Sequence, residues 1–567
     1  MNAHSNLSRV LFESLFASKQ TECFTLLNKD LTVNVSYSAS ELLRKSLNIA
    51  QNIQKNIPED RVMLVCVSSA DFVLLFLAGI FSGKIVIPSQ VPKSGLQYAK
   101  LLTIANNCGT YRVLCDDKSI ALISSNHHDQ NNFCFSTTED LFDSTFQEVN
   151  ENSWINLKGF QCKEEDIGYI QYSSGSYGDP KGVALSHKHI LTNIRAASQA
   201  ANVNKDSVIG TWLPMYHDMG LAFLLGFLLN GCRLIAISPL AFIQRPASWL
   251  QMISNYKISL TGGPPFAYDL CIQRIKEVEK LKLDLSSWQT AYMGSEIVRQ
   301  EVLDRFSDAF KNYSFDKNAA YSIYGMAEAT CFVCGSQATD DHKEYNSFQL
   351  KRKIKPVCLY NEDLDNLCIV DSNTGNVVPD GEKGEIYFAS PSLGYGYVEK
   401  VENNQLILDS SRFENYFEIS GNKRWFKTGD IGIKEGLALW VLGRKNDMFK
   451  VNGENLLAVD VEILAATVHP NLNAHGAAAF RADDDEDNSA NLLIEVYSNF
   501  HNDIDLNALI IKLKSKIYSS FGLHLRQILI LKRGALERTS SGKIQRNVIA
   551  QDYTFNKYLK YTYASSL

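Results

Sequence analysis

The chain has 567 residues, 45% of them apolar, which is more than one hydrophobic core usually organises and makes a multidomain globular protein the default. Its 62 acidic residues outnumber the 56 basic ones, so the surface has no cationic excess of the kind that tracks a nucleic-acid backbone, and nucleic acid is excluded as the main partner. Residues 1–20 hold no long apolar core, because Glu13 interrupts the one greasy patch and no small-residue cleavage site follows; no secretory leader is read there, and the expected compartment is the cytoplasm.

In chain order, SASELLRKSLNIAQNIQK (38–55) has helical spacing, VMLVCVSS (62–69) and KIVIPS (84–89) read as strands, RLIAIS (233–238) as another and PASWLQMISNYK (246–257) as a helix. This alternation predicts α/β layers with largely parallel sheets up to about residue 445. The apolar runs 72–81 (FVLLFLAGIF) and 219–229 (MGLAFLLGFLL) fall short of the ~20 residues of a membrane-spanning helix and read as buried helices. Twelve cysteines include one C-x-x-C, Cys331 and Cys334, with no second pair to complete a metal site, so free thiols in a reducing compartment are expected. Beyond residue 445 the pattern becomes a compact α+β series: AVDVEILAATVHP helical, AHGAAAFRA and NLLIEVYS strands, LNALIIKLKSKIYSSF an amphipathic helix, with the acidic run 483–488 a solvated turn. The predicted domains are therefore 1–445 and 446–567.

The stretch YSSGSYGDPKG (172–182) follows a strand candidate, DIGYIQ, and precedes VALSHKHILTNIRAASQ, which turns helical after Ser186. Glycines let its amides fold inward, serines add donors and Lys181 brings positive charge, so it can surround an anion. It departs from the G-x-x-x-x-G-K-[ST] loop at Pro180 and Gly182, which disfavours a Walker-type nucleotidase; taken alone, it is also what a plain turn looks like.

Further stretches decide between the two. The loop resembles the phosphate-binding signature of the adenylate-forming superfamily of acyl and aryl ligases, and YGMAEAT (324–330), WFKTGDIG (425–432), GRKNDMFKVNGENL (443–456) and RTSSGKIQR (538–546) are similar to its later signatures in their order. LPMYHDMGLA (213–222), PLAFIQRPASWLQMISNYK (239–257), GGPPFAYDLCIQRI (262–275) and LDLSSWQTAYMGSE (283–296) resemble the fatty acyl-AMP ligase branch. The resemblance implies a large N-terminal α/β domain with a small mobile C-terminal α+β domain, ATP and Mg²⁺ as cofactors, and activation of a fatty acid as its adenylate. It also implies transfer to the phosphopantetheine thiol of an acyl carrier protein, here a separate chain because no carrier-like serine motif trails the last signature. A fatty acyl-CoA synthetase and a non-catalytic acyl-adenylate binder are the alternatives.

Carried over residue by residue, the resemblance gives Ser173, Ser174, Gly175, Ser176, Gly178 and Lys181 to the phosphates, and Glu328 to Mg²⁺. Tyr324, with Gly325, Met326 and Ala327, and the strand end Gly294, Ser295 and Glu296 go to adenine; Asp430 and Arg444 go to the ribose. Lys543 is the mobile ammonium that bridges the fatty carboxylate and the α-phosphate once the small domain closes. Met219 and Phe266 supply acyl wall, with His217 and Asp218 at the acyl entrance, where a buried structural histidine is the other reading of His217. The turn after Arg444 resembles the hinge, with Asn446 where many relatives carry aspartate or lysine; Tyr177 stands where threonine is usual and Ile297 where proline is common. Residues 335–363 resemble a short version of the segment that distinguishes acyl-AMP ligases from CoA ligases.

Overall fold

The computed structural model describes residues 6–18, 22–126, 132–144, 154–173, 180–337, 343–347, 350–354, 356–358, 366–414, 423–452, 454–481, 488–497, 505–539, 542–551, 553 and 555–566. The acidic run lies largely outside them. Among these residues two eight-stranded sheets carry most of the chain. In the first, Phe24–Leu27, Arg233–Ile237, Val208–Thr211, Leu260–Gly263, Thr290–Met293 and Ala320–Gly325 run parallel, with antiparallel Val33–Tyr37 and Phe332–Gln337 closing the two edges. The second is parallel through Cys134–Thr137, Arg112–Cys115, Arg61–Val65, Ile85–Pro88 and Ile167–Ser173. It then turns antiparallel through Lys181–Ser186, Tyr397–Glu402 and Gln405–Asp409.

Both apolar runs read as buried helices are so: Ser69–Phe81 and Asp218–Asn230 pack, with Leu7–Ala17 and His187–Ala200, into one core shared by strands of both sheets. The helix over 38–55 is observed as Ala39–Asn56, capped by a reciprocal pair of bonds between Ser38 and Glu41. A third sheet of five antiparallel strands includes Lys383–Ala389, Trp425–Glu435 and Ala438–Arg444. After Arg444 a hairpin, Met448–Val451 with Glu454–Leu457, leads to a four-stranded sheet of Leu472–Phe480, Ser489–Val496, His524–Leu531 and Thr562–Ser566. The helices Ala458–Thr467 and Leu506–Phe521 cover this sheet around a separate core running from Phe449 to Ile530. These two bodies are called below the large and the small lobe. No helix among the described residues is long and apolar enough to cross a membrane.

The helix His187–Ala200, which follows the serine-glycine stretch 172–182, shows why the sequence breaks where it does. Ser186 Oγ accepts the His189 backbone N–H and His189 Nδ1 accepts that of Ser186, each at 3.2 Å, so the first turn is closed on both sides by side chains. One residue on, His187 Nδ1 accepts the Leu7 N–H at 3.3 Å, tying the amino-terminal helix to the core. Both rings are buried, and burial holds each imidazole down at about 4. Their folded values lie below the ~6.5 of an unfolded histidine, so the unfolded chain binds more protons and stability falls as pH drops through that window. Lowering the pH from about 7 to about 5 is expected to cost about 2 kcal/mol for each ring, and His187→Gln to remove one share, read from urea midpoints; a wild-type midpoint that does not fall over that range would contradict it.

Candidate active site

Three neighbouring parallel strands, Leu260–Gly263, Thr290–Met293 and Ala320–Gly325, end side by side, and their continuations hold Phe266, Ser295 and Glu296, and Met326 to Glu328. The carboxyl ends of parallel strands are where open α/β sheets place their ligands, because the chain leaves the sheet there and opens a crevice. A cavity of about 900 Å³ occupies this edge, roofed by the small lobe.

Of the residues singled out in the sequence, Ser173, Lys181, His217, Asp218, Met219, Phe266, Ser295, Glu296, Tyr324, Gly325, Met326, Ala327, Glu328, Asp430, Arg444 and Lys543 all line this cavity. Ser174, Gly175, Ser176 and Gly178 lie outside the described residues, as does Tyr177. Gly294 does not line the cavity: a Cβ there would sit 2.3 Å from Ile323 Cγ1, so its lack of a side chain serves close packing against the next strand. Ser295 beside it holds a left-handed φ of 65°, a strained conformation for a residue with a side chain.

Two hydrogen-bonded groups shape the large-lobe wall. The first is centred on Asp430, which pairs with Arg444 across adjacent strands of the five-stranded sheet. Arg444 Nε lies 3.2 Å from Asp430 Oδ1, and the Tyr324 hydroxyl donates to Oδ2 at 2.7 Å. Burial, then the charge of Asp430, lifts the Tyr324 phenol well above its ordinary range, so it keeps the proton it donates; Asp430 in turn raises Arg444. The second group joins the antiparallel pair Ile167–Ser173 and Lys181–Ser186 to the 3₁₀ turn Ala327–Ala329. Lys181 Nζ stands 5.2 Å from the centroid of the Tyr397 ring, whose hydroxyl donates to Glu328 Oε1 at 2.6 Å. Sequence reasoning missed Tyr397, which no quoted stretch contained and which strand pairing alone brings beside Lys181.

The small lobe contributes a tight turn. Thr539 N–H donates to the Lys543 carbonyl at 2.7 Å, Gly542 N–H to the Thr539 carbonyl at 2.9 Å and Lys543 N–H to Thr539 Oγ1 at 3.1 Å. Gly542 takes φ 89°, and a Cβ there would lie 3.1 Å from the Phe266 ring, so the turn rests directly on the large lobe. Lys543 is half-buried, and what remains open of it faces the cavity. Burial pushes its ammonium below the ordinary lysine range and Arg444 pushes the same way, while Asp218, Glu296 and Asp430 act against both. His217, also on this wall, is held down at about 4 by burial, with Asp218 raising and Lys543 lowering it, so the imidazole is neutral at physiological pH.

The connection between the lobes is anchored on both sides of one residue. Lys445 Nζ reaches Glu385 Oε2 of the large lobe at 2.9 Å. Asp447 Oδ2 accepts from Arg546 Nη1 of the small lobe at 3.1 Å, and Arg546 also grips Glu462 with two bonds of 2.6 Å. Asn446 lies between these opposed ties. The whole arrangement gathers cations from both lobes around a cavity with carboxylates on its rim, a site for a polyanion with a polar head.

Against known proteins, the chain matches the family described as AMP-binding enzyme over residues 19–398. The chain belongs to this AMP-binding enzyme family. Residues 446–562 of the AMP-binding enzyme match a second family, described as Disco-interacting protein 2-like, AMP domain. It is 27% identical to JamA of Moorena producens, a medium-chain-fatty-acid–[acyl-carrier-protein] ligase, over 94% of this chain and 93% of that one. It is 25% identical to FadD28 of Mycobacterium tuberculosis, a long-chain-fatty-acid–AMP ligase, over 93% of this chain and 94% of that one. A fatty acyl-adenylate ligase from Legionella pneumophila, solved in complex with acyl adenylate and pyrophosphate, shares 27% identity at a TM-score of 0.69, covering 99% of this chain and 97% of that one. Within the family these relatives put this AMP-binding enzyme in the fatty acyl-AMP ligase branch.

The lowered ammonium gives a direct check on the cleft. With a limiting dose of acetic anhydride at about pH 8, Lys543 is expected to acetylate ahead of exposed lysines such as Lys311 and Lys512, read by peptide mass spectrometry. Labelling no faster than theirs would contradict the electrostatics described.

Proposed function

We propose that this enzyme joins a fatty acid to AMP, releasing pyrophosphate from ATP, and passes the acyl group to the phosphopantetheine thiol of an acyl carrier protein. The observation that carries the reading is Lys543, brought by the small lobe into a cavity where it faces Asp218, Asp430 and Arg444. Driving a carboxylate onto the α-phosphorus brings two anions together, and a preorganised ammonium between them neutralises charge as it gathers in the transition state. Asp430 and Arg444 hold the ribose, Tyr324 with Ser295 and Glu296 at the neighbouring strand end flank adenine, and Lys181 with the serine-glycine loop takes the β- and γ-phosphates. Met219 and Phe266 wall the acyl chain, and a neutral His217 at its mouth adds no charge for the incoming carboxylate to desolvate.

Adenylate-forming ligases use ATP, and Mg²⁺ is generally required. Among the described residues no group of three or more histidine, cysteine or acidic side chains could hold a metal by itself. One carboxylate at the cavity wall fits Mg²⁺, which completes its shell with water and phosphate oxygens; Glu328 would hold it, and the ion would offset phosphate charge.

For transfer, the small lobe turns about Asn446, between the Lys445 and Asp447 anchors, which supports a domain boundary at residues 445 and 446. JamA, named for an acyl-carrier-protein acceptor, supports the same acceptor here. So does the segment resembling the acyl-AMP insertion: its Ile354 is buried in a cluster with Leu457 and Val459 just beyond the hinge, where it hinders rearrangement of the small lobe.

Lys543→Ala is expected to slow fatty-acid-dependent pyrophosphate exchange by about 10²–10³-fold, about 3–4 kcal/mol in the barrier; exchange at the wild-type rate would sink the assignment. Offered free CoA and phosphopantetheinylated carrier protein in parallel, with ATP, Mg²⁺ and a mixture of aliphatic acids, the enzyme is expected to load the carrier. Acyl-CoA as the main product would make it a CoA ligase, and absence of acyl-adenylate would leave a binding protein.

A further inference from the structure

Away from the nucleotide wall, a second set of charged side chains crosses between the lobes. Asp269, on the helix Pro265–Gln273, is 4% exposed and holds Arg305 Nη2 at 2.5 Å on one oxygen. Its other oxygen lies 2.5 Å from Nε2 of His475, which belongs to the small-lobe strand Leu472–Phe480. At that separation the Nε2 proton points to the carboxylate, since a bare nitrogen would repel it. The Arg299 Nη2 lies 3.0 Å from the same nitrogen and its charge favours the Asp269 carboxylate. Burial raises Asp269, but the His475 hydrogen bond and the charges of His475, Arg305 and Arg299 outweigh it and leave it lowered, so it stays an anion.

The contact continues towards Lys543. Arg538 Nη1 donates to the His475 carbonyl at 2.9 Å and to the Gly542 carbonyl at 3.1 Å, and its Nη2 lies 2.8 Å from Glu495 Oε2, a carboxylate buried in the small lobe. Gly476 makes room for this: a Cβ there would meet Glu495 Oε2 at 2.5 Å. The chain from Asp269 through His475 and Arg538 to Gly542 therefore ends on the residue before Lys543, and the turn is fixed to the large lobe at a point separate from Phe266.

We infer that Asp269 and His475 are positioning residues for the adenylation step: their contact docks the small lobe in the orientation that puts Lys543 in the cleft, and it breaks when that lobe turns for transfer. This rests on the adenylation reading above and adds to it which large-lobe residue captures the closing lobe. A buried anion and a half-buried histidine donor from opposite lobes make an orientation-specific latch, because separating them leaves Asp269 with its charge facing Arg305 and Arg299 alone.

The test uses the full chain with His475→Ala and the donor-retaining His475→Gln, and reads the two half-reactions separately. His475→Ala is expected to lower kcat of pyrophosphate exchange by about 10–100-fold with little change in KM for ATP, while transfer from supplied acyl-adenylate to carrier protein proceeds at the wild-type rate or faster, and His475→Gln recovers part of the loss. Unchanged exchange overturns the inference, as does an equal loss in both half-reactions, which would mark a merely structural role. Amide hydrogen exchange across residues 538–545 separates its failure from that of the enzymatic reading. His475→Ala is expected to speed exchange of these amides by about 10-fold or more even if wild type adenylates nothing, and unaltered protection overturns the latch whatever the activity.

Discussion

An ammonium held between two lobes, beside a guanidinium and within reach of carboxylates, is the interaction around which the rest is arranged. Lys543 has lost enough water that its charge is disfavoured, and Arg444 disfavours it further, while Asp218, Glu296 and Asp430 act to keep it. Such a group is stabilised by added negative charge, so the cleft favours an anion between Lys543 and Arg444 before any chemistry begins. Strands from three sheets are needed to build that environment: Asp430 and Arg444 come from the five-stranded one, Tyr324 from the first and Lys181 from the second. A single layer could not bring them to one cavity, which is a physical reason for so large an N-terminal lobe.

The same interaction makes closure conditional. Lys543 arrives on a turn that rests on Phe266 through a glycine with no side chain to hold it off, and the lobe that carries it is tethered through one unanchored residue, Asn446, between an ion pair to each side. On the proposed reading, a rigid connection would fix Lys543 permanently in the cavity and block access for an acceptor thiol. Opposed anchors with one residue between them would instead confine the proposed rotation to a short pivot.

Much of this was legible in the sequence because it depends on local chemistry. Ser186 as a helix start, the two short apolar helices, and the succession of strands and helices follow from capping and periodicity, and the structure has these elements in the expected order, though the strand read over 62–69 ends at Val65 because the Ser68 side chain caps the helix Ser69–Phe81. Sixteen of the site residues read from the signatures line one cavity, because a signature preserves side chains whose chemistry is used together. Gly294 stands apart from them for a physical reason: a glycine at a strand end can mark close ligand approach or close strand packing, and its missing side chain here leaves room for Ile323. Tyr397, Asp269 and His475 were not singled out because their partners lie 69 or 206 residues away, and only strand pairing or lobe docking brings them together. Arg538 and Arg546 sat in plain view inside the last quoted stretch, but nothing in their spacing tells that their partners are His475, Glu495, Glu462 and Asp447 rather than a phosphate.

The central claim is that closure puts one small-lobe ammonium on the atoms that react. The most direct measurement is a crystal structure of the full chain with a non-hydrolysable acyl-sulfamoyl adenosine, which stands in for the acyl-adenylate. The expected result has the Lys543 ammonium within hydrogen-bond distance, about 2.7–3.2 Å, of the acyl carbonyl or the sulfamoyl group, with the ribose on Asp430. A bound analogue with Lys543 turned away from it, or one seated outside the cavity between the lobes, would contradict the claim.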